Sequence, residues 1–482
     1  MLKLNKDVLF LLISENFQDD KKTLYSCLLV NKIWCEVTVP ILWKNPWKNP
    51  WKYISHEKER SHLNIIISHL SNETRNNLRN KGIDLIAIQQ KPLFNYISFC
   101  KYLNLSCFDR IISIINNFDK IKISIISNEI LKLFINKNSR LTFLYIPRQC
   151  NYQIHLIPGV EQCFSELKFL QFDANIEQHI LKGLVKISKS IKKLEFDNLQ
   201  TNNNSGLLVK LIEAQKDLNE VRFICYTNTS GESFCKTLEE SLIKHANTVK
   251  HLQIDWVPIT NVLSHLINLI SLEMNSPHYT NWNHLENVFL PGLTILKAQK
   301  IPSENLSSLI ENTRDQLSEI SIRYEGLHNN KSLIQAIYRN CPNLKYLKLF
   351  FEIINISELK NLLINCQYLN GLVIITDILE NKFDWDNLFD ILAKLSPKSL
   401  YKFKFYFMRT LHLDSLKLFF DNWKGHPIFL QIIPMDNYKN IEIKEHFNLI
   451  ENYKVKGIVE KYDIDLYGHT FEDFEWIQTK FC

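Results

Sequence analysis

Glycine is nearly absent, with 11 residues in 482, about a third of the usual share. That scarcity disfavours folds built on glycine-rich phosphate loops, and the chain has no Gly-x-x-x-x-Gly-Lys, no Gly-x-Gly-x-x-Gly and no Gly-x-Ser-x-Gly. No charge of one sign dominates: 57 basic and 51 acidic residues leave a net +6, a balance that does not call for nucleic acid. No stretch approaches the ~20 apolar residues of a membrane span. The run Val8 to Ile13 is too short and too closely preceded by Asp7 for a signal peptide. The 11 cysteines are odd in number and include no Cys-x-x-Cys, so they are expected to be reduced thiols in a core. Cytoplasm or nucleus is the expected location, without membrane contact.

Constellations that carry chemistry are missing too. His56, Glu57 and His62 fail the metalloprotease spacing, because the second histidine falls six residues on rather than four and faces away. Asp384 with Asp386, and Asp463 with Asp465, lack the glycine and closing glutamate of a calcium loop. No catalytic residue, metal or cofactor is expected, and the chain does not read as an enzyme.

What is there is a repeat. A unit of the form apolar-x-x-apolar-x-apolar begins at Leu141, Leu167, Ile191, Leu218, Val249, Leu269, Leu293, Leu317, Leu344, Leu369, Leu400 and, with proline first, Pro427, at intervals of 20 to 31 residues. The fourth and sixth positions are apolar in every copy and the fifth is polar in nearly all, the alternation of a short strand with one buried and one wet face. Helical stretches such as LSSLIENTRDQL and SLIQAIYRNCPNL lie between them. One helix and one strand per unit predict an α/β solenoid with a curved parallel sheet. The inward residues, Phe196 among them, should each contribute roughly 1.5 to 3 kcal/mol by burial.

Ahead of the repeats, Leu4 to Trp47 reads as a small helical module. Asn5 is placed to cap a first helix containing Val8, Leu9, Leu11, Leu12 and Ile13, and a second apolar stripe follows at Leu24, Cys27, Leu28 and Val30, with Trp34 beyond. The segment is too short to bury a full core. The following WKNPWKNPW places Trp43, Trp47 and Trp51 around Pro46 and Pro50, and these tryptophans are expected to fold back over the module.

This stretch resembles the F-box, the adaptor-binding module of Skp-cullin-F-box ubiquitin ligases, through Leu4, Asp7, Val8, Leu9, Leu12, Val30, Lys32, Trp34 and the pair Leu42 and Trp43. Asn5 stands where that family has proline, and Asn31 where it has cysteine. The repeats resemble the leucine-rich repeats found behind F-boxes, best at Cys341 to Leu349. The asparagine or cysteine such repeats carry three positions after the unit is present at Asn175 but replaced by Leu199, Tyr226, Val257, Ile301 and Glu325, which predicts an irregular solenoid without a full ladder of turn hydrogen bonds.

The resemblance implies a Skp-type adaptor, and through it a cullin-RING ligase, resting on Leu4, Val8, Leu9, Leu12, Val30 and Trp34. It implies a protein target on the strand face at Gln171, Asp173, Glu195, Arg222, Gln253, Asp255, Glu273, Lys297, Arg323 and Lys348. The expected organisation is an F-box module at 1–47, a helical connector at 48–125, a leucine-rich-repeat solenoid at 126–435 and a C-terminal cap at 436–482. Two other readings stand beside it: a repeat scaffold without a ubiquitin role, and a nucleic-acid or phospholipid receptor using Lys402 and Lys404.

Overall fold

A computed structural model describes residues 5–17, 20–47, 56–85, 92–115, 118–225, 231–276, 282–323, 330–376, 383–407, 411–434 and 440–464. The chain divides into two compact units, residues 1–234 and 235–482.

The first unit opens with three short helices, α1 (Lys6–Phe17), α2 (Lys21–Leu28) and α3 (Lys32–Lys44). Each has an identifiable start. Asn5 Oδ1 accepts from the Asp7 amide at 3.0 Å, Asp20 from the Thr23 amide at 3.1 Å, and Asn31 from the Trp34 amide at 3.1 Å. The two positions that depart from the F-box pattern, Asn5 and Asn31, thus both cap helices. Leu9, Ile13, Leu24, Cys27 and Val37 form the core of the module, with Trp34, Ile41 and Leu42 packed against it.

Two further helices, α4 (His56–Ser68) and α5 (Asn72–Asn80), lead to the first strand, with α6 (Leu105–Ile112) and α7 (Lys120–Phe134) beyond it. Trp47 packs away from the module, against the segments that follow it: its Nε1 donates to the Tyr102 carbonyl at 2.7 Å, and its ring lies 5.6 Å from Phe134 and 5.8 Å from His62. Trp51 lies outside the described residues. The strands of this unit are β1 (Tyr102–Asn104), β2 (Phe143–Ile146), β3 (Phe169–Asp173), β4 (Lys193–Asp197) and β5 (Glu220–Phe223), all parallel and adjacent in chain order.

The second unit continues the same unit of construction with β6 (His251–Ile254), β7 (Ser271–Asn275), β8 (Ile295–Gln299), β9 (Glu319–Arg323), β10 (Tyr346–Phe351), β11 (Gly371–Thr376), β12 (Lys402–Phe407), β13 (Ile428–Pro434) and β14 (Val459–Ile464), again parallel in chain order. Each unit is therefore an open α/β stack of strand and helix repeats. Every fourth and sixth residue of the twelve units is buried, from Leu144 and Ile146 to Leu430 and Ile432. Phe196 is flanked by Phe172 and Phe223, each with its ring centroid 5.2 Å away.

The parallel array extends past 126–435 at both ends. β1 lies within the stretch assigned to the connector and β14 within the stretch assigned to the cap. Both carry the repeat pattern in disguise: Cys100, Leu103 and Leu105 in one, Val459, Tyr462 and Ile464 in the other. The terminal sequence from 465 to 482 lies outside the described residues.

Asparagine bridges between turns occur in two places, in part at positions other than the consensus one. Asn204 Nδ2 donates to the carbonyls of Ala174 and Ile176 at 3.1 and 2.7 Å, and Asn202 Nδ2 reaches Asn175 Oδ1 at 2.7 Å. In the second unit Asn355 Nδ2 bonds Asn330 Oδ1 at 2.8 Å, whose own amide bonds the Phe350 carbonyl at 2.6 Å. Side chains from neighbouring turns satisfy the buried backbone where the consensus position cannot. The cysteines are free and mostly buried among the described residues, and burial raises the thiols of Cys100 and Cys366 to about 12.

Candidate interaction surfaces

The module α1 to α3 leaves much of its apolar surface in solvent. Val8, Phe10, Leu11 and Leu12 on α1, Tyr25 on α2, and Leu29, Val30 and Ile33 at the α2 to α3 turn are all exposed, with Leu11 at 55%, Leu29 at 88% and Val30 at 56%. α1 in particular is apolar on more than one side, and the stripe turned away from the module's core finds no cover. Leu9 and Ile13 face the opposite way, one turn apart, and are buried.

Of the residues implied as adaptor contacts, Val8, Leu12 and Val30 therefore belong to this exposed surface. Leu9 does not: at 3% exposure it is a core residue, and its four-residue offset from Ile13 explains why. Trp34 packs against that same core while keeping part of its surface open. Leu4 lies outside the described residues. Phe10, Leu11 and Leu29 were missed; a helix that is apolar all round does not announce which stripe turns outward.

The strand-face residues divide between the units. In the first, register sets out two rows across the sheet: Tyr102, Phe143, Phe169, Lys193 and Glu220 in one, Asn104, Tyr145, Gln171, Glu195 and Arg222 in the next. Asp173 pairs with Asp197 one step further along. All are half-buried except Glu195, which is buried. Gln171 Nε2 bridges Glu195 Oε1 and Asp197 Oδ2 at 2.9 and 3.0 Å, and Arg222 lies 3.5 Å from Glu195. Burial, then the neighbouring Glu195 and Asp173, push the Asp197 carboxyl up to about 6.

In the second unit Gln253, Asp255 and Lys348 are buried, Glu273 and Lys297 half-buried, and Arg323 exposed. Asn275 donates to Asp255 at 2.8 Å, and Lys297 lies 4.0 Å from Glu319. The later strands depart from the expected wet face. Phe350, Val373, Ile375, Tyr406 and Ile433 form a second buried apolar cluster there, with Tyr346 against it. Lys348, Lys402 and Lys404 are buried beside them, Lys404 at 1% exposure. The ammonium groups of Lys348 and Lys404 sit 5.4 and 5.2 Å from the Tyr406 ring, so one aromatic serves two cations. Lys348 is thus a correction to the expected contact face: strands reading as near-continuous apolar runs are buried on both sides. Lys402 and Lys404, for the same reason, are not presented to an outside phosphate.

Among the described residues no group of three or more His, Cys, Asp or Glu is placed to hold a metal, and no helix is long and apolar enough to cross a membrane. No protein-family model matches the chain, and no curated protein matches it. Solved structures that match include the crystal structure of the Rad7 and Elc1 complex in yeast, at 13% identity over 91% of this chain and 94% of that one, with a TM-score of 0.42. At that score the likeness carries no argument about this chain.

Proposed function

We propose that the chain is a non-enzymatic receptor subunit of a Skp-cullin-F-box ubiquitin ligase, acting in the cytoplasm or nucleus. Its helices α1 to α3 dock a Skp-type adaptor, and its repeats hold a protein target. The observation that carries this reading is the exposed apolar surface of the three helices, where Val8, Leu11, Leu12, Leu29 and Val30 stand in solvent. Large apolar side chains gathered on one small module are what a protein partner would cover. The F-box resemblance supplies the kind of partner. The function is geometric: a repeat scaffold that holds a target at a set distance from a ubiquitin-loaded enzyme raises the effective concentration of the target's lysines.

The test is co-purification of the full chain with a Skp-type adaptor, beside a variant carrying Leu12→Asp and Val30→Asp. Both positions are exposed, so the variant should keep its melting curve and lose the adaptor. Leu9→Asp serves as the contrasting control, because it strikes the core. A wild-type chain that brings down no adaptor overturns the reading and leaves a repeat scaffold without a ubiquitin role.

A further inference from the structure

We propose that the open face of β1 to β5 is a docking surface for an extended protein segment rich in arginine or lysine. The inference names the chemistry of the target and in that respect rests on the receptor reading, but its test involves no adaptor.

The first argument is the aromatic shelf. Tyr102, Phe143 and Phe169 are neighbours in one row, with ring centroids 5.5 and 4.7 Å apart, and Tyr145 stands beside them in the next row. All four are only half-buried. Aromatic rings offer a negative face to a cation. The surface already uses this mode once, since Lys193 Nζ lies over the Phe169 ring at 4.5 Å from its centroid.

The second argument is charge. These rows hold the carboxylates of Glu220, Glu195, Asp173 and Asp197 against the cations Lys193 and Arg222. Lys193 is committed to Glu220 at 2.8 Å and Arg222 to Glu195 at 3.5 Å. Asp173 and Asp197 receive amide donors instead: the Asn175 backbone and side chain and the Asn198 side chain for the first, the Gln171 side chain for the second. Two carboxylates on adjacent strands thus face each other, hydrogen-bonded by amide donors, with the Arg222 charge near Asp197. A cation arriving across the shelf would meet ring faces first and this pair next, and no phosphate-bearing ligand would be tolerated there.

The third argument is shape. The strands are about 4.8 Å apart, so the shelf and the acidic pair span four adjacent strands, β1 to β4, and suit a segment lying across them.

Binding of two fluorescent ten-residue peptides, alternating arginine with serine and glutamate with serine, to the full chain tests this directly by anisotropy. The arginine peptide should bind and the glutamate peptide should not. Replacing Asp173→Asn and Asp197→Asn together removes both charges while keeping one acceptor oxygen at each position, and should weaken the arginine peptide by about tenfold or more. Phe143→Leu, which keeps apolar bulk but removes the ring, should weaken it a few-fold. If the double variant melts early, Asp173→Asn alone supplies the same comparison. Absence of arginine-peptide binding to wild type, or equal binding by wild type and the folded variants, overturns the proposal. Adaptor binding that persists while the peptide fails would leave the receptor reading standing and sink only this one.

Discussion

The strand faces of β1 to β5 and of β10 to β13 are built from the same six-residue pattern and end in opposite states. On β1 to β5 the outward side chains are half-open, mixed aromatic and acidic, and tied by short polar bridges. On β10 to β13 they are buried, aliphatic and aromatic, with three lysines laid against the rings. The difference lies one residue beyond the repeat unit. After the sixth position β3 and β4 place Asp173 and Asp197, and β6 to β9 likewise place Asp255, Asn275, Gln299 and Arg323, whereas β10 to β13 place Phe350, Ile375, Tyr406 and Ile433. An apolar residue there makes the strand apolar on both sides.

The largest test of that contrast is a set of three truncations. Phe350→Ala, in the covered cluster, should cost about 3 kcal/mol, and Phe196→Ala, in the main core, about 3 to 5 kcal/mol. Phe143→Ala on the open face should cost about 1 kcal/mol. Denaturant titrations measure all three, and equal losses at Phe350 and Phe143 would erase the distinction between the faces.

A second test uses buried polar anchoring in the second unit. Glu239 is fully buried and accepts from Trp256 Nε1 at 2.8 Å, the Ile259 amide at 3.0 Å, and the Thr260 amide and hydroxyl at 2.6 and 2.5 Å. Glu239→Ala leaves those donors without an acceptor and should cost about 2 to 3 kcal/mol. The exposed Lys394→Ala, removing a surface pair with Asp390 at 2.7 Å, should change stability by less than about 0.5 kcal/mol.

The first unit also contains two groups with opposite pH dependence. Asp197 has its pKa raised to about 6 in the folded chain, above an unfolded value near 3.8, so the folded form binds the proton more tightly. Its contribution improves as pH falls from about 6 toward 4, by about 1 kcal/mol after allowance for its partial exposure, and Asp197→Asn should remove that gain. His62 runs the other way. Burial, then the charge of Lys21, hold its pKa at about 4 against 6.5 when unfolded, with the Trp43 and Trp47 rings at 5.1 and 5.8 Å. Stability is complete well above pH 6.5 and falls by about 2 kcal/mol as pH drops to 5. Melting curves of Asp197→Asn and of His62→Gln between pH 7 and 5 would separate the terms, and a flat wild-type profile that stays flat in both would refute them.

The smallest expected effect is the most diagnostic for the helical module. Leu12→Asp should shift stability by less than about 0.5 kcal/mol because the side chain is already in water. Leu9→Asp, one face away, should cost more than about 4 kcal/mol through a buried unpaired charge.

Much of this was legible before any coordinates. The alternation at the fourth and sixth positions identified the inward residues of twelve strands, and Asn5 marked the start of the first helix; the caps Asp20 and Asn31 emerged only in the structure. β1 and β14 were overlooked because Cys100 and Tyr462 occupy apolar positions of the pattern while reading as polar or ambiguous. The turn ladder was sought at one consensus offset, whereas Asn202, Asn204, Asn330 and Asn355 supply bridges from elsewhere. A side-chain amide can reach a neighbouring turn from several positions, so spacing alone does not locate it.

The sequence by itself determined the α/β repeat and the core-facing set, because period-two burial is a local property of a strand. Only the tertiary structure decided which stripe of α1 is core and which is free, and whether Lys348 meets solvent or a ring. Those outcomes depend on what packs across from each residue, and a residue's own neighbours in the chain do not specify it.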